Sequence, residues 1–137
     1  MPELVRSIAG RLRALVGNRR YARRYRVRAE ATVTLVGPKP GAAALTPPLA
    51  CHTCDISKTG VSLVVPAVRV GERYLTGEGR LLRVALELPA GALVLYAAPV
   101  RYERLEEPDT GYVIGAHFTP LSDADRERLE AFLGTLA

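Results

Sequence analysis

The sequence predicts a mainly β fold: a small, six-stranded antiparallel β-barrel with a basic, helical N-terminal arm and a C-terminal α-helix. Three observations lead to this prediction. Six segments of the 137-residue chain have the alternating or continuous apolar pattern of strands, and turn residues separate them at fairly even spacing. A helical pattern follows the last of these segments. Hydrophobic residues make up 48% of the chain, which is enough to fill one core.

The chain is predicted to divide into an N-terminal amphipathic helix (residues 1–18) and one domain (residues 19–137). Apolar residues recur at helical spacing over residues 3–16, and Gly17-Asn18 is a typical helix end. This helix is expected to pack its apolar face on the barrel or on a second subunit. Attachment to a membrane surface is the alternative, because the polar face is basic, but the apolar stripe is short and lacks Trp and Phe.

Positive charge is concentrated before the first strand. Residues 1–28 contain nine arginines and a single acidic residue, Glu3, whereas acids slightly outnumber bases in the remainder of the chain. The net charge of +5 therefore belongs to the N-terminus. Such a cluster usually meets an anion: a nucleotide, a nucleic acid or a lipid head group. We refer to residues 19–28 as the arginine arm.

The predicted barrel extends over residues 28–118. Its strands, in chain order, are predicted at residues 28–36, 49–54, 61–65, 81–88, 93–105 and 112–118. The fifth strand is expected to bend near Pro99. Loops rich in proline and glycine, or tight turns, join the strands, and residues 55–60 form one of these turns.

The C-terminal helix is predicted over residues 122–136. Ser122 can cap its N-terminus, and Asp123 and Asp125 lie in the first turn, where the helix dipole favours acids. The helix has an apolar stripe for packing on the barrel, formed by Leu129, Phe132, Leu133 and Leu136.

Two short motifs flank the first strands. The arginine arm contains Arg20-Tyr21-Ala22-Arg23-Arg24, which has the form RxxxR, and the predicted turn Asp55-Ile56-Ser57-Lys58-Thr59-Gly60 has the form DxSxxG. The last strand, Tyr112-Val113-Ile114-Gly115-Ala116-His117-Phe118, ends in a Gly-x-x-Phe pattern. Each motif alone is weak. In this order and at this separation, with the final helix, they resemble the PilZ family over residues 19–136.

The resemblance implies a receptor for cyclic di-GMP that passes a signal to a partner protein and is not an enzyme. The chemistry is consistent, since the O6 and N7 acceptors of guanine fit an arginine fork and its N–H donors fit a carboxylate. The phosphates attract further arginines. Gly60 is expected to provide a positive φ or close ligand approach. The candidate ligand-binding residues are Arg19, Arg20, Arg23, Arg24, Asp55, Ser57 and Gly60.

Two registers of RxxxR fit the arm: Arg20 with Arg24, or Arg19 with Arg23. We favour the first, because the second arginine of the family motif lies just before the first strand. Arg19 would then precede the motif, which by resemblance implies binding of an intercalated pair of ligand molecules. Because the arginines of the arm repel one another, we expect the arm to be mobile until ligand bridges it to the Asp55 turn.

Other functions are less favoured by the sequence. A PilZ-type interaction module without ligand binding would not need the motif residues, which could then simply shape a turn. A basic barrel that binds nucleic acid would normally carry more aromatic residues on its strands, so no nucleic-acid partner is expected. Homodimer formation is left open.

Metal, cofactor and catalytic chemistry are not indicated. Cys51-His52-Thr53-Cys54 is a CxxC with an internal histidine, but a structural zinc site needs four ligands, and His117 is the only other histidine. We expect no metal, no cofactor and no catalytic residues. Because no apolar run approaches about 20 residues and arginines interrupt the one segment that could act as a secretory signal, a cytoplasmic location is expected.

Overall fold

Alternation of apolar and polar residues produces a closed barrel in the computed structural model, which describes residues 23–137. The strands, in chain order, are β1 (Tyr25–Arg26), β2 (Glu30–Val36), β3 (Leu49–Ile56), β4 (Gly60–Val65), β5 (Arg69–Val70), β6 (Arg73–Tyr74), β7 (Leu81–Leu88), β8 (Gly91–Arg104) and β9 (Tyr112–Phe118). One helix, α1 (Asp123–Thr135), follows them. The predicted helix at residues 3–16 and the candidates Arg19 and Arg20 lie outside the described residues.

The six long strands form the barrel, in the spatial order β3-β2-β7-β8-β9-β4, and β3 also pairs with β4 to close it. Every pairing is antiparallel. β8 is the longest strand because its first half pairs with β7 and its second half with β9. The pairing of β8 with β9 shifts by one residue between Pro99 and Arg101 of β8, so the predicted bend near Pro99 is a β-bulge. The prediction of a six-stranded antiparallel barrel with a C-terminal helix is confirmed.

The core of the barrel consists of alternate residues of the long strands and two residues of the helix. In β2, for example, Ala31, Val33 and Leu35 are buried. From α1, Leu129 and Leu133 are buried against the same core, and Phe132 and Leu136 pack at its margin. The Ser122 Oγ accepts a hydrogen bond of 3.1 Å from the Asp125 backbone N–H, so the predicted cap is also present.

Local differences from the sequence prediction lie at the strand ends. Asp55 and Ile56 continue β3 instead of beginning the turn. The pairing of β3 with β4 shifts between Thr53 and Asp55, which makes Cys54 an extra residue on β3. The short strands β5 and β6 form a hairpin within residues 69–79, predicted as loop. No helix of the described residues is long and apolar enough to cross a membrane.

Candidate ligand-binding site

A buried ion pair joins the end of the arginine arm to β3. The Arg24 Nη1 lies 3.1 Å from the Asp55 Oδ1, and the two side chains are 8% and 0% exposed. Strand β1 positions Arg24, because the next two residues pair with β3: Tyr25 lies opposite Ile56, and Arg26 lies opposite Asp55. The two motifs of the sequence, 31 residues apart at these positions, therefore meet directly at one site.

Each member of this ion pair keeps one polar atom without a hydrogen bond. The Arg24 Nε and the Asp55 Oδ2 are buried, and among residues 23–137 neither has a hydrogen-bond partner. Buried polar atoms without partners are uncommon in proteins and reduce stability, so they often mark a place where another group binds. The site therefore offers one N–H donor and one carboxylate acceptor that the described residues do not use.

Thr53, which the sequence prediction did not single out, fixes the chain segment that follows Arg24. The Thr53 Oγ1 accepts a hydrogen bond of 2.8 Å from the Ala29 N–H and donates one to the Val27 carbonyl. The Thr53 N–H also donates to the Ala29 carbonyl, at 2.9 Å. Thr53 thereby fastens the chain between β1 and β2 to β3. A threonine in a strand is ordinary, and no motif in the sequence distinguishes this one.

Ser57 is used within the turn between β3 and β4. It is buried, and its Oγ accepts hydrogen bonds from the Thr59 N–H at 3.1 Å and from the Gly60 N–H at 3.2 Å. The turn is closed by a backbone hydrogen bond of 2.9 Å from the Ser57 N–H to the Gly60 carbonyl. In this arrangement Ser57 shapes the turn, as one of the sequence interpretations allowed.

Gly60 is required for a reason other than the positive φ suggested by the sequence. Its φ is not among the positive values found for other glycines. A Cβ at this position would lie 2.4 Å from the Ala116 carbonyl oxygen on β9. Close packing between β4 and β9 therefore leaves no room for a side chain at Gly60.

A cleft of about 350 Å³ is lined by Arg23 and Tyr25, the two sequence neighbours of Arg24, by Lys58 of the β3–β4 turn and by residues of α1. Arg23 and Lys58 supply positive charge to its wall, and Glu130 of α1 supplies one negative charge. The Arg23 guanidinium lies over the Tyr25 ring, 4.9 Å from its centroid. Arg24 and Arg23 are the second arginines of the two possible RxxxR registers. Arg24 contacts Asp55, whereas Arg23 is exposed at this cleft. Tyr25 and Lys58 were not predicted site residues.

The CxxC segment lies within β3 and is buried. Cys51 and Cys54 are not joined by a disulfide. Burial, with a smaller contribution from the Glu30 charge, raises the pKa of the Cys51 thiol to about 12. Burial and the nearby Arg28 charge lower the pKa of His52. Within residues 23–137 there is no group of three or more His, Cys, Asp or Glu residues that could hold a metal ion.

Comparison with known proteins gives one family and several similar structures. A family model described as "PilZ domain" matches residues 18–134. The PilZ domain of YcgR from Escherichia coli, solved with c-di-GMP, has a TM-score of 0.63 at 13% identity, and the alignment covers 87% of this chain and 92% of that one. No significant match is found among the curated proteins.

Two longer proteins contain a similar fold. MotI from Bacillus subtilis, an inhibitor of motility, has a TM-score of 0.58 at 15% identity, with 87% of this chain and 49% of that chain covered. The MrkH–c-di-GMP complex of K. pneumonia has a TM-score of 0.59 at 20% identity, with coverage of 84% and 50%. The present chain thus spans about half the length of MotI and MrkH. At these identities the likeness demonstrates a shared fold.

Proposed function

The chain belongs to the PilZ domain family, and on this premise we propose that it is a receptor for cyclic di-GMP, acting by binding without chemical turnover. The observation that carries the proposal is the buried contact between Arg24 and Asp55, in which each side chain keeps an unused polar atom. These residues belong to the RxxxR and DxSxxG motifs. The solved YcgR domain and MrkH complex, both named as containing c-di-GMP, support the same ligand class.

The chemistry of the site suits a guanine nucleotide. The unused Asp55 Oδ2 can accept an N–H of guanine, and the unused Arg24 Nε–H can donate to an adjacent ring acceptor or to a phosphate oxygen. Arg23 at the neighbouring cleft adds a cation for the phosphates. Ser57 and Gly60 would contribute by fixing the turn that presents Asp55.

The contact of Arg24 with Asp55 supports the register in which Arg20 and Arg24 are the two motif arginines. Arg19 would then precede the motif. We propose that Arg19 and Arg20 bind the ligand together with Arg24, on the basis of the motif and of their charge.

We further propose that ligand binding changes the chain before Arg23 and that this change signals to a partner protein. The end of the arginine arm is already joined to the barrel, because Tyr25 and Arg26 pair with β3. The ordering predicted for the whole arm is therefore restricted to the residues that precede this pairing.

Calorimetry with cyclic di-GMP, cyclic di-AMP and GTP tests the ligand. We expect cyclic di-GMP to bind at least tenfold more tightly than cyclic di-AMP, because a matched hydrogen-bond pair to a base contributes about 1–3 kcal/mol of discrimination. The measured stoichiometry will show whether one or two ligand molecules bind. Equal affinity for both cyclic dinucleotides, or no heat with cyclic di-GMP, would contradict the proposal.

Amide hydrogen exchange tests the proposed signal. On addition of cyclic di-GMP, we expect slower exchange in residues 1–22, whereas Val33 and Leu35 in the core of the barrel serve as the internal control and remain unchanged. If the ligand bound but exchange in residues 1–22 did not change, the receptor function would stand and the proposed mechanism of output would be wrong.

A further inference from the structure

Part of β8 has a strand on one side only. Its pairing with β7 extends as far as Leu82 opposite Ala97, whereas its pairing with β9 continues to Arg104 opposite Tyr112. In the part of the chain that the structure describes, no strand pairs with the other edge of residues 99–104. This segment is therefore an open sheet edge.

The backbone of this segment presents hydrogen-bonding groups to the open side. The Leu105 N–H donates to the Gly111 carbonyl at 2.9 Å, and the same register continues to Arg101 opposite Gly115. In an antiparallel ladder, residues alternate between those that bond to the partner strand and those whose polar groups point away. The N–H and carbonyl groups of Tyr102 and Arg104 therefore point away from β9.

A groove runs along the open edge. Its volume is about 620 Å³, and its opposite wall is formed by residues 74–80, from the end of β6 to the start of β7. Four large hydrophobic residues of the described chain are exposed, and three of them line this groove: Tyr74 (48%), Val100 (48%) and Tyr102 (46%). Such clustering of exposed apolar side chains is typical of a binding surface.

The charge around the groove is positive. Residues 69–80 and 99–104 together contain five arginines and three glutamates, a net charge of +2. Tyrosine and arginine are also the residues most enriched at the energetic centres of protein interfaces. A partner with an excess of acidic side chains is therefore favoured.

We propose that this groove binds an extended, acidic segment of a partner protein, which adds to β8 as an extra strand. Backbone hydrogen bonds to Tyr102 and Arg104 would supply affinity, and Val100, Tyr74 and the arginines would supply specificity. Nucleic acid fits the groove less well, because stacking of bases needs accessible ring faces. The Arg69 guanidinium covers the Tyr74 ring at 5.7 Å, and Tyr102 packs edge-on with Tyr112 at 6.1 Å.

The groove is separate from the proposed nucleotide site. The groove and the cleft lined by Arg23 share no lining residue, and β9 lies between β8 and the strand β4 that begins at Gly60. A test of the groove can therefore be read independently of cyclic di-GMP binding.

The probe is a synthetic ten-residue peptide in which valine or tyrosine alternates with glutamate. It is titrated into the isotope-labelled 137-residue chain, and amide resonances are followed by NMR. We expect the largest shifts at Tyr102 and Arg104. A peptide with lysine in place of glutamate should bind at least tenfold more weakly, and so should the glutamate peptide N-methylated at alternate residues, because N-methylation removes the backbone donors.

Two pairs of variants locate the contact. Tyr102→Pro removes an N–H that does not bond to β9, so it should reduce peptide affinity at least tenfold while thermal unfolding and cyclic di-GMP binding are retained. Tyr102→Ala keeps that N–H and should reduce the peptide affinity by less than Tyr102→Pro does. Arg80→Glu in the groove should weaken the acidic peptide, whereas Arg83→Glu, an exposed site on β7, is the matched control.

The proposal is overturned if none of the peptides shifts the groove amides at millimolar concentration, or if the lysine or N-methylated peptide binds as well as the glutamate peptide. Preferential binding of a single-stranded oligonucleotide at the same amides would also overturn it. So would a homodimer, seen in sedimentation, that Tyr102→Pro dissociates. If Tyr102→Pro failed to fold, the Arg80→Glu and Arg83→Glu pair would decide.

Discussion

Replacing Arg24 by alanine is expected to lower the free energy of unfolding by about 3–5 kcal/mol, because it leaves the fully buried Asp55 carboxylate without its partner. Chemical denaturation measures this loss. The matched control is Arg28→Ala. Arg28 also pairs with an acid, Glu30 at 3.4 Å, but both side chains are about two thirds exposed, so that change is expected to cost less than about 1 kcal/mol. Equal losses for the two variants would contradict the importance of the buried pair.

A double variant separates stability from ligand binding at the same site. Arg24→Met with Asp55→Leu replaces both charges by apolar side chains, and such replacement of a buried ion pair is often neutral for stability. We expect the double variant to fold and to lose cyclic di-GMP binding by tenfold or more, since both proposed guanine contacts are removed. A folded double variant with unchanged affinity would exclude Arg24 and Asp55 from the binding site.

Replacing Gly60 by alanine is expected to lower the free energy of unfolding by about 3 kcal/mol, the upper range for an overpacked site. The new Cβ would lie 2.4 Å from a backbone oxygen of β9, so the two strands must separate locally. The β3–β4 turn next to Asp55 would move with them, and we expect weaker cyclic di-GMP binding as well. Thermal unfolding and calorimetry measure the two effects.

The control for this change is Gly134→Ala in α1, where nothing lies within 4 Å of the added Cβ. Because alanine is favoured over glycine within a helix, this variant is expected to be unchanged or more stable by up to about 1 kcal/mol. If Gly60→Ala behaved like Gly134→Ala, close packing would not be the reason for glycine at position 60.

The barrel strands were predictable because their side chains face different environments on their two sides. In β7, Leu82, Val84 and Leu86 point into the core, and the sequence alternates accordingly. The predicted bounds of β7 and β9 match the observed ones. The C-terminal helix was predictable because its cap and its apolar stripe are both local signals.

The details of the site depend on contacts between distant residues, which local patterns do not record. The sequence suggested that Arg24 and Asp55 belong to one site, but the direct contact between them comes from the pairing of β1 with β3. The role of Gly60 depends on the carbonyl of Ala116, more than fifty residues away. The open edge of β8 arises because the pairing with β7 stops at Ala97, whereas the pairing with β9 continues to Arg104, and no motif in the sequence marks this difference.

Because Cys54 is an additional residue in β3, the side chains that face the core are at odd-numbered positions before it and at even-numbered positions after it. Cys51 and Ile56 both belong to the hydrophobic core, although they are separated by an odd number of positions. If Cys54 were an ordinary member of a regular strand, Asp55 would share the inward side of Cys51 and would direct its carboxylate into the barrel. Deleting Cys54 would not have this effect, because Thr53 opposite Leu63 and Asp55 opposite Ser62 would then become neighbouring pairs of a regular ladder. The bulge thus allows one strand to place Cys51 and Ile56 in the core while the Asp55 carboxylate contacts Arg24.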